Sequence, residues 1–439
     1  LGPPSTISSF DDNTWIYIEL RKVNQSLIKL GKKRIEKNNS LIVTFNSRGL
    51  VEKVDYRDLS NMNKINVSEK ITKKSYSSNS NIKFTNNYLE CKKSNIFIIT
   101  VPTPVNNKNE PDLKNLKEAS KLVAKIINRG DIIVIESTVY PGVTEEIIAP
   151  IIENKSKLIR KRDFNMAYSP ERINPGDTKY KISNIKKVVA ADDKKTLNKI
   201  SAIYKKIIKA GVYKAASIKV AETSKAIENA QRDINIAFVN EVVMICKALN
   251  ISSKKVLEAA NTKWNFLNFK PGLVGGHCIG VDPFYLAKAA KMAGHNPEII
   301  LAGRKINDYM PEFIFKNAVK KIEKKSKVLI LGLTFKENVK DIRNSKSAVL
   351  ENLFHKKGYR VDVYDPLADK KQALKEYKIK LVVSKKKYTC VIITVGHKEF
   401  LKMPSKKIIS LFANPSLLID IKNIWDEKKI PDYISKWSL

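Results

Sequence analysis

The stretch Leu273–Pro283 reads LVGGHCIGVDP and carries the thiol of Cys278. His277 precedes the cysteine, and Asp282 follows four residues later. Glycine neighbours let a substrate and the backbone approach the sulfur closely. A thiolate is a strong nucleophile that adds to an aldehyde to form a thiohemiacetal. A metal ligand, half of a disulfide and a buried filler are the other interpretations of Cys278, and His277 alone is interpreted as structural.

Lys225 and Asn229 form a second candidate pair. They stand four residues apart in Ala221–Leu249, a stretch without proline or glycine whose apolar spacing predicts one long helix. The two side chains therefore share a helix face. An ammonium and an amide on one face can hold an oxyanion or an ordered water. A solvated polar face is the alternative.

Thr138 and Glu171 follow two predicted strands. The run Glu136-Ser137-Thr138 ends the apolar stretch IIVIE, and Glu171 stands in YSPER behind another strand candidate. Ligands of parallel α/β sheets bind at the carboxyl ends of strands, so both residues are site candidates. Helix capping and turn formation are the alternative.

The segment Leu331–Arg343, LGLTFKENVKDIR, places a glycine directly after a strand candidate. The glycine allows a tight turn toward a helix, where Lys336 and Arg343 can pair with phosphates. A solvated basic face is the alternative interpretation of these two side chains.

Composition limits the class of protein. The 439 residues are 43% hydrophobic and carry a formal net charge of +37. The lysines are spread along the chain without a basic and aromatic recognition motif, which favours a solvated, lysine-rich surface over a nucleic-acid partner. The field of that surface would also attract anionic substrates. No apolar run approaches the ~20 residues of a membrane span. Four widely separated cysteines predict a reducing compartment, with neither a disulfide framework nor a structural zinc site.

Two α/β regions flank a helical centre. Apolar runs predict strands, and the stretches between them have helical spacing, which is typical of doubly wound sheets. The predicted strands are Trp15–Glu19, Leu41–Phe45, Ile96–Val101, Ile132–Glu136, Val188–Ala190, Val328–Leu331, Val361–Tyr364, Val391–Val395 and Leu417–Ile421. Residues 62–83 are rich in Asn, Ser and Lys and predict a linker.

Together these motifs resemble the UDP-glucose/GDP-mannose dehydrogenase family from about Asn81 to the C-terminus. The resemblance rests on ITVPTP (99–104), ESTVYPG (136–142), YSPERINPGD (168–177), KVAETSKAIENAQRDINIAFVNE (219–241), GGHCIGVDP (275–283) and GLTFKENVKDIRNS (332–345). The forms ERINPGD and GGHCIGVDP are most similar to the branch that oxidises UDP-N-acetylhexosamines at the 6-hydroxyl.

The resemblance implies a two-step, NAD-dependent oxidation of alcohol to acid through a thiohemiacetal and a thioester on Cys278. Asp282 and Thr138 match residues that position water, Lys225 and Asn229 match the oxyanion pair, and Glu171 matches a general acid/base or thioester-hydrolysis carboxylate. The implied cofactor residues are Val101, Pro102, Thr103, Ser137, Thr138 and Arg343. The implied substrate residues are Glu171, Arg172, Lys225, Asn229, Phe269, Gly272, Gly275 and Lys336. No metal is implied.

The beginning of the chain departs from that family. Residues 1–80 contain no GxGxxG, so the first βαβ unit that would hold the cofactor pyrophosphate is missing. Residues 1–67, with LGPPS and WIY, instead resemble a fragment of the SmpA/OmlA (BamE-type) outer-membrane assembly lipoproteins. The predicted junction lies near 75–81. We expect Ile96–Val101 and Ile132–Glu136 to lose sheet neighbours, and NAD binding to be weak or absent.

The expected architecture has four parts. They are a small α+β fragment (1–75), a truncated Rossmann-like NAD-binding domain (76–205), a central helical dimerisation domain (206–310) and a second Rossmann-like, UDP-binding domain (311–439). The resemblance implies a cytoplasmic homodimer that oxidises a UDP-N-acetylhexosamine for surface polysaccharide synthesis. The alternative is a catalytically dead chimera of a truncated dehydrogenase and an envelope-protein fragment.

Overall fold

The computed structural model describes residues 14–24, 33–45, 51–57 and 85–439, except 107–108, 175–176, 178–179, 384–386, 427 and 429, and gives the first three ranges as backbone. The chain divides into two compact units. The first runs to Lys225; residues 107–110 and 174–179 belong with Ala226–Leu439 in the second. None of the helices in these ranges is long and apolar enough to cross a membrane. The predicted linker and junction lie outside the described residues.

The first described elements are three antiparallel strands, β1 (Thr14–Asn24), β2 (Lys33–Phe45) and β3 (Val51–Arg57). They pair in the order β1-β2-β3. The two strands predicted here, WIYIE and LIVTF, are confirmed and lie within longer strands. The resemblance of residues 1–67 to an envelope lipoprotein stays a prediction.

A five-stranded sheet forms the rest of the first unit, in the order β4-β5-β6-β7-β8. Its strands are β4 (Ile96–Ile99), β5 (Ile132–Ile135), β6 (Asn165–Tyr168), β7 (Lys187–Ala191) and β8 (Val212–Lys214). Its helices are α1 (Lys114–Val123), α2 (Ala149–Ser156) and α3 (Lys194–Ile207), with short 3-10 turns at Tyr88–Cys91 and Ile182–Asn184 and a π-helical turn at Val143–Ile148.

The direction and burial of these strands differ partly from expectation. Strands β4, β5 and β6 are parallel, as predicted, whereas β7 runs antiparallel to β6. A parallel return needs a long crossover, usually a helix, and the described part of the β6–β7 connection holds only a 3-10 turn. Among described residues β4 is an edge strand, and Ile98 is 41% exposed. The expectation that Ile132–Glu136 lacks neighbours is wrong, because β4 and β6 flank β5 and all its residues are buried.

Four helices follow this sheet along the chain. They are α4 (Ile218–Ala248), α5 (Ser253–Ala260), α6 (Asp282–Met292) and α7 (Glu298–Val319). The predicted long helix is confirmed as α4, and the division between the units falls within it. The side chain of Ser252 caps α5, and Pro283 stands in the first turn of α6, where a missing N–H costs nothing.

The last sheet is fully parallel, in the order β10-β9-β11-β12-β13. Its strands are β9 (Lys327–Leu331), β10 (Arg360–Tyr364), β11 (Tyr388–Ile393), β12 (Phe412–Asp420) and β13 (Ile434–Trp437). Its helices are α8 (Lys346–Lys356), α9 (Lys370–Tyr377), α10 (Lys398–Leu401) and α11 (Ser405–Ile409). The strand order reverses between β9 and β11, and ligands of open α/β sheets bind outside such a reversal.

The core of the second unit covers both faces of this sheet. Val328 and Ile330 of β9 pack on one side with Met310 and Ile314 of α7, and Leu329 and Leu331 pack on the other. Burial on both faces explains why the strands read as continuous apolar runs. The predicted α/β class, with two Rossmann-like sheets and a helical centre, is confirmed.

Candidate active site

Cys278 stands in a turn immediately before α6. Its carbonyl oxygen accepts hydrogen bonds from the N–H groups of Val281 (3.0 Å) and Asp282 (2.8 Å). The thiol therefore lies near a helix N-terminus, where the peptide dipoles favour a negative charge. None of the four cysteines forms a disulfide, so the disulfide interpretation of Cys278 is wrong. Cys278 is partly exposed, whereas Cys246 and Cys390 are the buried fillers.

The glycines around Cys278 face the Leu333–Arg343 segment and its neighbour Asn344. A Cβ on Gly275 would lie 2.6 Å from the Asn344 carbonyl oxygen, and one on Gly276 would lie 2.6 Å from the ring of Phe335. Gly280 is packed in the same way against the Asn344 amide, at 2.9 Å. These close approaches are a structural reason for the small residues, and the close approach of a substrate stays a prediction.

His277 belongs to the same packing. Its ring meets Phe335 edge-on, with centroids 6.3 Å apart, and its Nδ1 lies 3.7 Å from Asp341 Oδ2. These contacts agree with the structural interpretation of His277. Asn344 completes the interface by donating from Nδ2 to the Gly276 carbonyl, at 3.0 Å.

Asn229 and Asp282 meet through their side chains. Asn229 Nδ2 donates to Asp282 Oδ2 at 2.5 Å, and both residues are more than nine-tenths buried. Asp282 is also the first residue of α6, so this bond ties α4 to the end of the Cys278 turn. The sequence placed both residues in one site but gave no reason for direct contact.

Lys225 lies one turn before Asn229 on α4 and is 6% exposed. The alternative of a solvated polar face is therefore wrong for both side chains. A buried ammonium and a buried amide interact far more strongly with a developing charge than solvated groups do.

The cofactor candidates of the first unit gather at the carboxyl ends of β4 and β5. Ser137 Oγ donates to the Val101 carbonyl at 2.7 Å, and Thr103 Oγ1 donates to the Thr138 carbonyl at 2.6 Å. The Pro102 carbonyl accepts from Asn115 on α1 at 3.2 Å. Side chains from each strand end thus fix the backbone of the other.

The two carboxylate oxygens of Glu171 have different partners. Its Oε1 accepts from the N–H groups of Arg172 and Ile173, both at 2.7 Å, which is the turn chemistry proposed as the alternative. Its buried Oε2 lies 3.8 Å from Lys187 Nζ. Arg172 turns away to donate to the Lys186 carbonyl at 2.7 Å.

Lys187 connects Glu171 with a carboxylate that sequence reasoning placed at a strand end without a role. Lys187 Nζ lies 3.4 Å from Glu136 Oε1, which also accepts a hydrogen bond from Tyr204. Lys187, Glu136 and Tyr204 are each at most 5% exposed. Burial raises the pKa of Glu136, and the nearby Lys187 opposes that rise. Lys187 begins the apolar strand β7 (KVVAA), and nothing in the sequence signals that its charge is buried.

Asp365, the residue after β10, binds the beginning of the segment Leu333–Arg343. Asp365 Oδ2 accepts from the N–H groups of Leu333 (2.6 Å) and Thr334 (2.9 Å), and contacts His397 Nε2 at 3.1 Å. His397 is fully buried and accepts from Asn338 N–H at 3.0 Å. His397 and these backbone N–H groups keep the pKa of Asp365 at about 2.

The two basic candidates of this segment have defined partners. Lys336 Nζ donates to Asn174 Oδ1 at 2.8 Å, and burial lowers its pKa. Arg343 forms a double contact with Asp341, with Nε 3.0 Å from each carboxylate oxygen, and Arg343 helps to keep the pKa of Asp341 at about 2. Because both side chains bind other residues of the chain, they do not form a solvated basic face. Arg343 lies in the second unit, unlike the other cofactor candidates.

The remaining substrate candidates lie in the loop before Cys278. Phe269 is partly exposed, and its N–H donates to the Leu267 carbonyl at 2.8 Å. Gly272 has φ +154°, and a Cβ there would lie 3.2 Å from Lys422 Nζ. Lys422 in turn pairs with Glu337 at 3.1 Å. Within the described part of the chain, no cluster of three or more His, Cys, Asp or Glu residues could hold a metal ion.

Three family models match the chain. The UDP-glucose/GDP-mannose dehydrogenase NAD binding domain matches residues 51–208, the central domain 219–309 and the UDP binding domain 329–427. The chain is 47% identical over 351 residues to UDP-N-acetyl-D-glucosamine 6-dehydrogenase of Salmonella typhi, covering 78% of this chain and 83% of that protein. It is 45% identical to Protein CapL of Staphylococcus aureus, covering 82% of this chain and 87% of that protein.

A solved structure agrees. The UDP-D-ManNAc dehydrogenase of Pyrococcus horikoshii superposes with a TM-score of 0.71 at 29% identity, covering 81% of this chain and 83% of that one. The Salmonella typhi and Pyrococcus horikoshii proteins are nucleotide-sugar dehydrogenases by name, and the family model that matches residues 51–208 is an NAD binding domain. The chain belongs to the UDP-glucose/GDP-mannose dehydrogenase family, as its motifs predicted. The match begins at residue 51, before the predicted junction.

Proposed function

We propose that this chain oxidises the 6-hydroxyl of a UDP-N-acetylhexosamine to a carboxylate, as a step in surface polysaccharide synthesis. Relatives at 45–47% identity are named as UDP-N-acetyl-D-glucosamine 6-dehydrogenases, which supports the substrate class. The observation that carries the proposal is the buried bond between Asn229 and Asp282 beside the Cys278 turn. It brings an amide donor and a carboxylate to a partly exposed thiol.

Cys278 is the proposed nucleophile. Its thiolate adds to the carbon of the aldehyde formed in the first oxidation, and a proton goes to the oxygen, which gives a thiohemiacetal. The second oxidation removes the hydrogen on that carbon as hydride and the hydroxyl proton, leaving a thioester. Water then adds to the thioester carbon, the C–S bond breaks, and the uronic acid and the thiol are released.

Separate roles are proposed for the polar candidate residues. Lys225 and Asn229 stabilise the negative oxygen that develops in each addition, because buried donors act in a low-dielectric environment. Asp282 and Thr138 hold the hydrolytic water. Glu171 accepts the proton of the 6-hydroxyl or of that water, and the Lys187 ammonium lies 3.8 Å from its Oε2.

Substrate contacts are proposed for the remaining candidates. Lys336 pairs with the diphosphate, which its position behind the β9 strand end supports. Phe269, Gly272 and Gly275 shape the loop around the sugar, and Arg172 contributes beside Glu171. Arg343 reaches toward the cofactor. The +37 net charge attracts a doubly anionic substrate over distance.

The first unit fits one end of NAD. The hydroxyls of Thr103 and Ser137 donate to the carbonyls of Thr138 and Val101, and these bonds fix the strand ends. NAD, when bound, supplies the hydride acceptor for both oxidations. The N–H groups of Gly142 and Thr144, at a helical N-terminus nearby, donate instead to Glu222 (2.6 and 2.9 Å). They are therefore not free for the pyrophosphate.

A homodimer through the central helices is also proposed. Helix α4 exposes Ile227 (49%), Phe238 (55%) and Ile245 (52%) at helical spacing, and Leu249 follows at 63%. A row of large apolar side chains along one helix favours a second apolar surface over water. Phe238→Glu should convert a dimer to monomers in analytical ultracentrifugation, whereas Glu241→Gln, on the same helix and charge-reducing, should not. Equal dissociation by both changes would contradict this interface. We place the protein in the cytoplasm, where its cysteines stay reduced.

The alternative function is a chimera without catalytic activity that still binds UDP-sugars. The absence of GxGxxG from residues 1–80 and the occupation of the Gly142 and Thr144 N–H groups by Glu222 favour it. Such a chain would keep its second unit and its dimer interface but lack its oxidant.

The deciding experiment supplies purified protein with NAD and UDP-N-acetylglucosamine or its galacto epimer and measures NADH. Two NADH per sugar are expected, lost in Cys278→Ser and kept in Cys91→Ser, which changes another partly exposed thiol. No NADH from a folded sample that binds the UDP-sugar would favour the chimera. NADH formation that survives Cys278→Ser would contradict the nucleophile.

A further inference from the structure

The loop that leads to Cys278 is clamped at its start by a side chain with no assigned role. Gly272 N–H donates to Asn240 Oδ1 at 2.8 Å, and Asn240 Nδ2 donates to the Gly272 carbonyl at 3.0 Å. Asn240 is fully buried. One amide thus satisfies both backbone groups of Gly272, whose φ of +154° is rare for residues with a side chain.

The other end of the loop is held from the same helix. Asn229 binds Asp282, the first residue of α6, and Asn240 lies eleven residues further along α4. Eleven residues are about three turns of an α-helix, so the two asparagines project from one face. The loop from Gly272 to Asp282, which includes Cys278, is therefore hydrogen-bonded at each end to an asparagine side chain of the same helix.

A buried network fixes which way the Asn240 amide points. Arg304 donates to the Asp233 carboxylate, which also accepts from Asn307 Nδ2 at 2.8 Å. Because Asn307 donates to Asp233, its Oδ1 is left to accept from Asn240 Nδ2, at 2.8 Å. Arginine stays charged and a carboxylate only accepts, so every donor in the series has one direction. Arg304, Asp233 and Asn307 are each at most 3% exposed.

We propose that Asn240 is a positioning residue for the nucleophile, acting through the backbone of Gly272, with Asp233, Arg304 and Asn307 orienting its amide. The inference rests on the proposed function in taking Cys278 as the nucleophile of a UDP-sugar site. Asn240 touches neither the sulfur nor, by our assignment, the sugar. Its contribution is to hold the loop in one conformation before substrate arrives, which lowers the entropic cost of binding.

The test measures alkylation of Cys278 by iodoacetamide in the full chain, with and without UDP-N-acetylglucosamine, by peptide mass spectrometry. Asn240→Asp keeps the size of the side chain but places a second acceptor against the Gly272 carbonyl and Asn307 Oδ1, so two bonds are lost. Asn240→Ala removes the clamp altogether. Asn235→Ala is the matched control, because Asn235 lies on α4 and donates to the Gln231 carbonyl of its own helix.

In both Asn240 variants, iodoacetamide should alkylate Cys278 faster when no UDP-sugar is present. The UDP-sugar concentration that protects Cys278 from alkylation should rise about tenfold. Asn235→Ala should match the unmodified chain. Cys246, on α4 itself, and Cys390 are buried and report whether the fold persists. They should stay unlabelled in all variants.

Two results would overturn the proposal. One is that both Asn240 variants show the same rate of Cys278 alkylation and the same protecting UDP-sugar concentration as the unsubstituted chain. The other is labelling of Cys246 in step with Cys278, which would make Asn240 a general support of α4 rather than of the loop. If the sugar protects Cys278 in no sample, the substrate assignment fails, while the labelling rates of the free proteins still decide the role of Asn240.

Discussion

Replacing Gly276 with alanine tests whether the Cys278 turn depends on close packing against Phe335. Gly276 has φ +83°, and a left-handed backbone costs a residue with a side chain about 1–2 kcal/mol. The new Cβ would also lie 2.6 Å from the Phe335 ring, and overpacking of this kind costs about 1–3 kcal/mol. We expect Gly276→Ala to lower the free energy of unfolding by about 2–5 kcal/mol.

Gly294 provides the matched control. Its φ is +81°, and a Cβ there would meet nothing within 4 Å. Gly294→Ala therefore carries only the conformational cost, about 1–2 kcal/mol. The difference between the two alanine variants isolates the clash with the ring.

Urea unfolding followed by tryptophan fluorescence measures both variants, and the midpoints are comparable if the slopes agree. Phe335→Ala in the Gly276→Ala background should recover part of the loss, and should recover nothing with Gly294→Ala. Equal destabilisation by the two alanines would refute the reasoning, because it would mean that the glycine is required by its backbone angle alone.

Three further predictions concern buried charge and the cofactor. Lys187→Met leaves the buried Glu136, whose pKa burial raises, without its counter-charge, so urea unfolding should show a loss of stability that is larger at pH 8 than at pH 5; an equal loss would contradict it. Burial raises the pKa of Glu222 from 4.5 to about 7, which costs stability as pH rises through that window. Glu222→Gln should remove up to about 3 kcal/mol of this change in the free energy of unfolding with pH. If the free energy of unfolding changes with pH by the same amount in Glu222→Gln as in the unsubstituted chain, the prediction is wrong. Calorimetry should find much weaker binding of NAD than of the UDP-sugar, and similar affinities would contradict an incomplete pyrophosphate site.

The sheets could be predicted because their signals are local. A strand buried on both faces needs a continuous apolar run, so VLIL and IIVI identify β9 and β5 wherever they lie in the chain. Strand direction is different, because it depends on the length and path of the connection. The antiparallel pairing of β7 with β6 was therefore missed.

Parts of the site were equally local. Lys225, Asn229 and Asp233 recur every four residues on α4, so their common face can be counted from the sequence. Asn240 lies on that face too, and the spacing is the one signal that could have found it. Burial of these residues was not predictable, since the same spacing describes a solvated stripe.

The sequence by itself determined the class of chemistry, because a cysteine among glycines, polar residues at strand ends and a polar helix face are properties of short segments. Only the tertiary structure decided which partners meet. Glu222 binds the N–H of Gly142 eighty residues away, and Asn240 binds Gly272 thirty-two residues away. Such bonds form because a buried polar group must find a partner, and the partner is set by how the chain crosses itself rather than by the residues beside it.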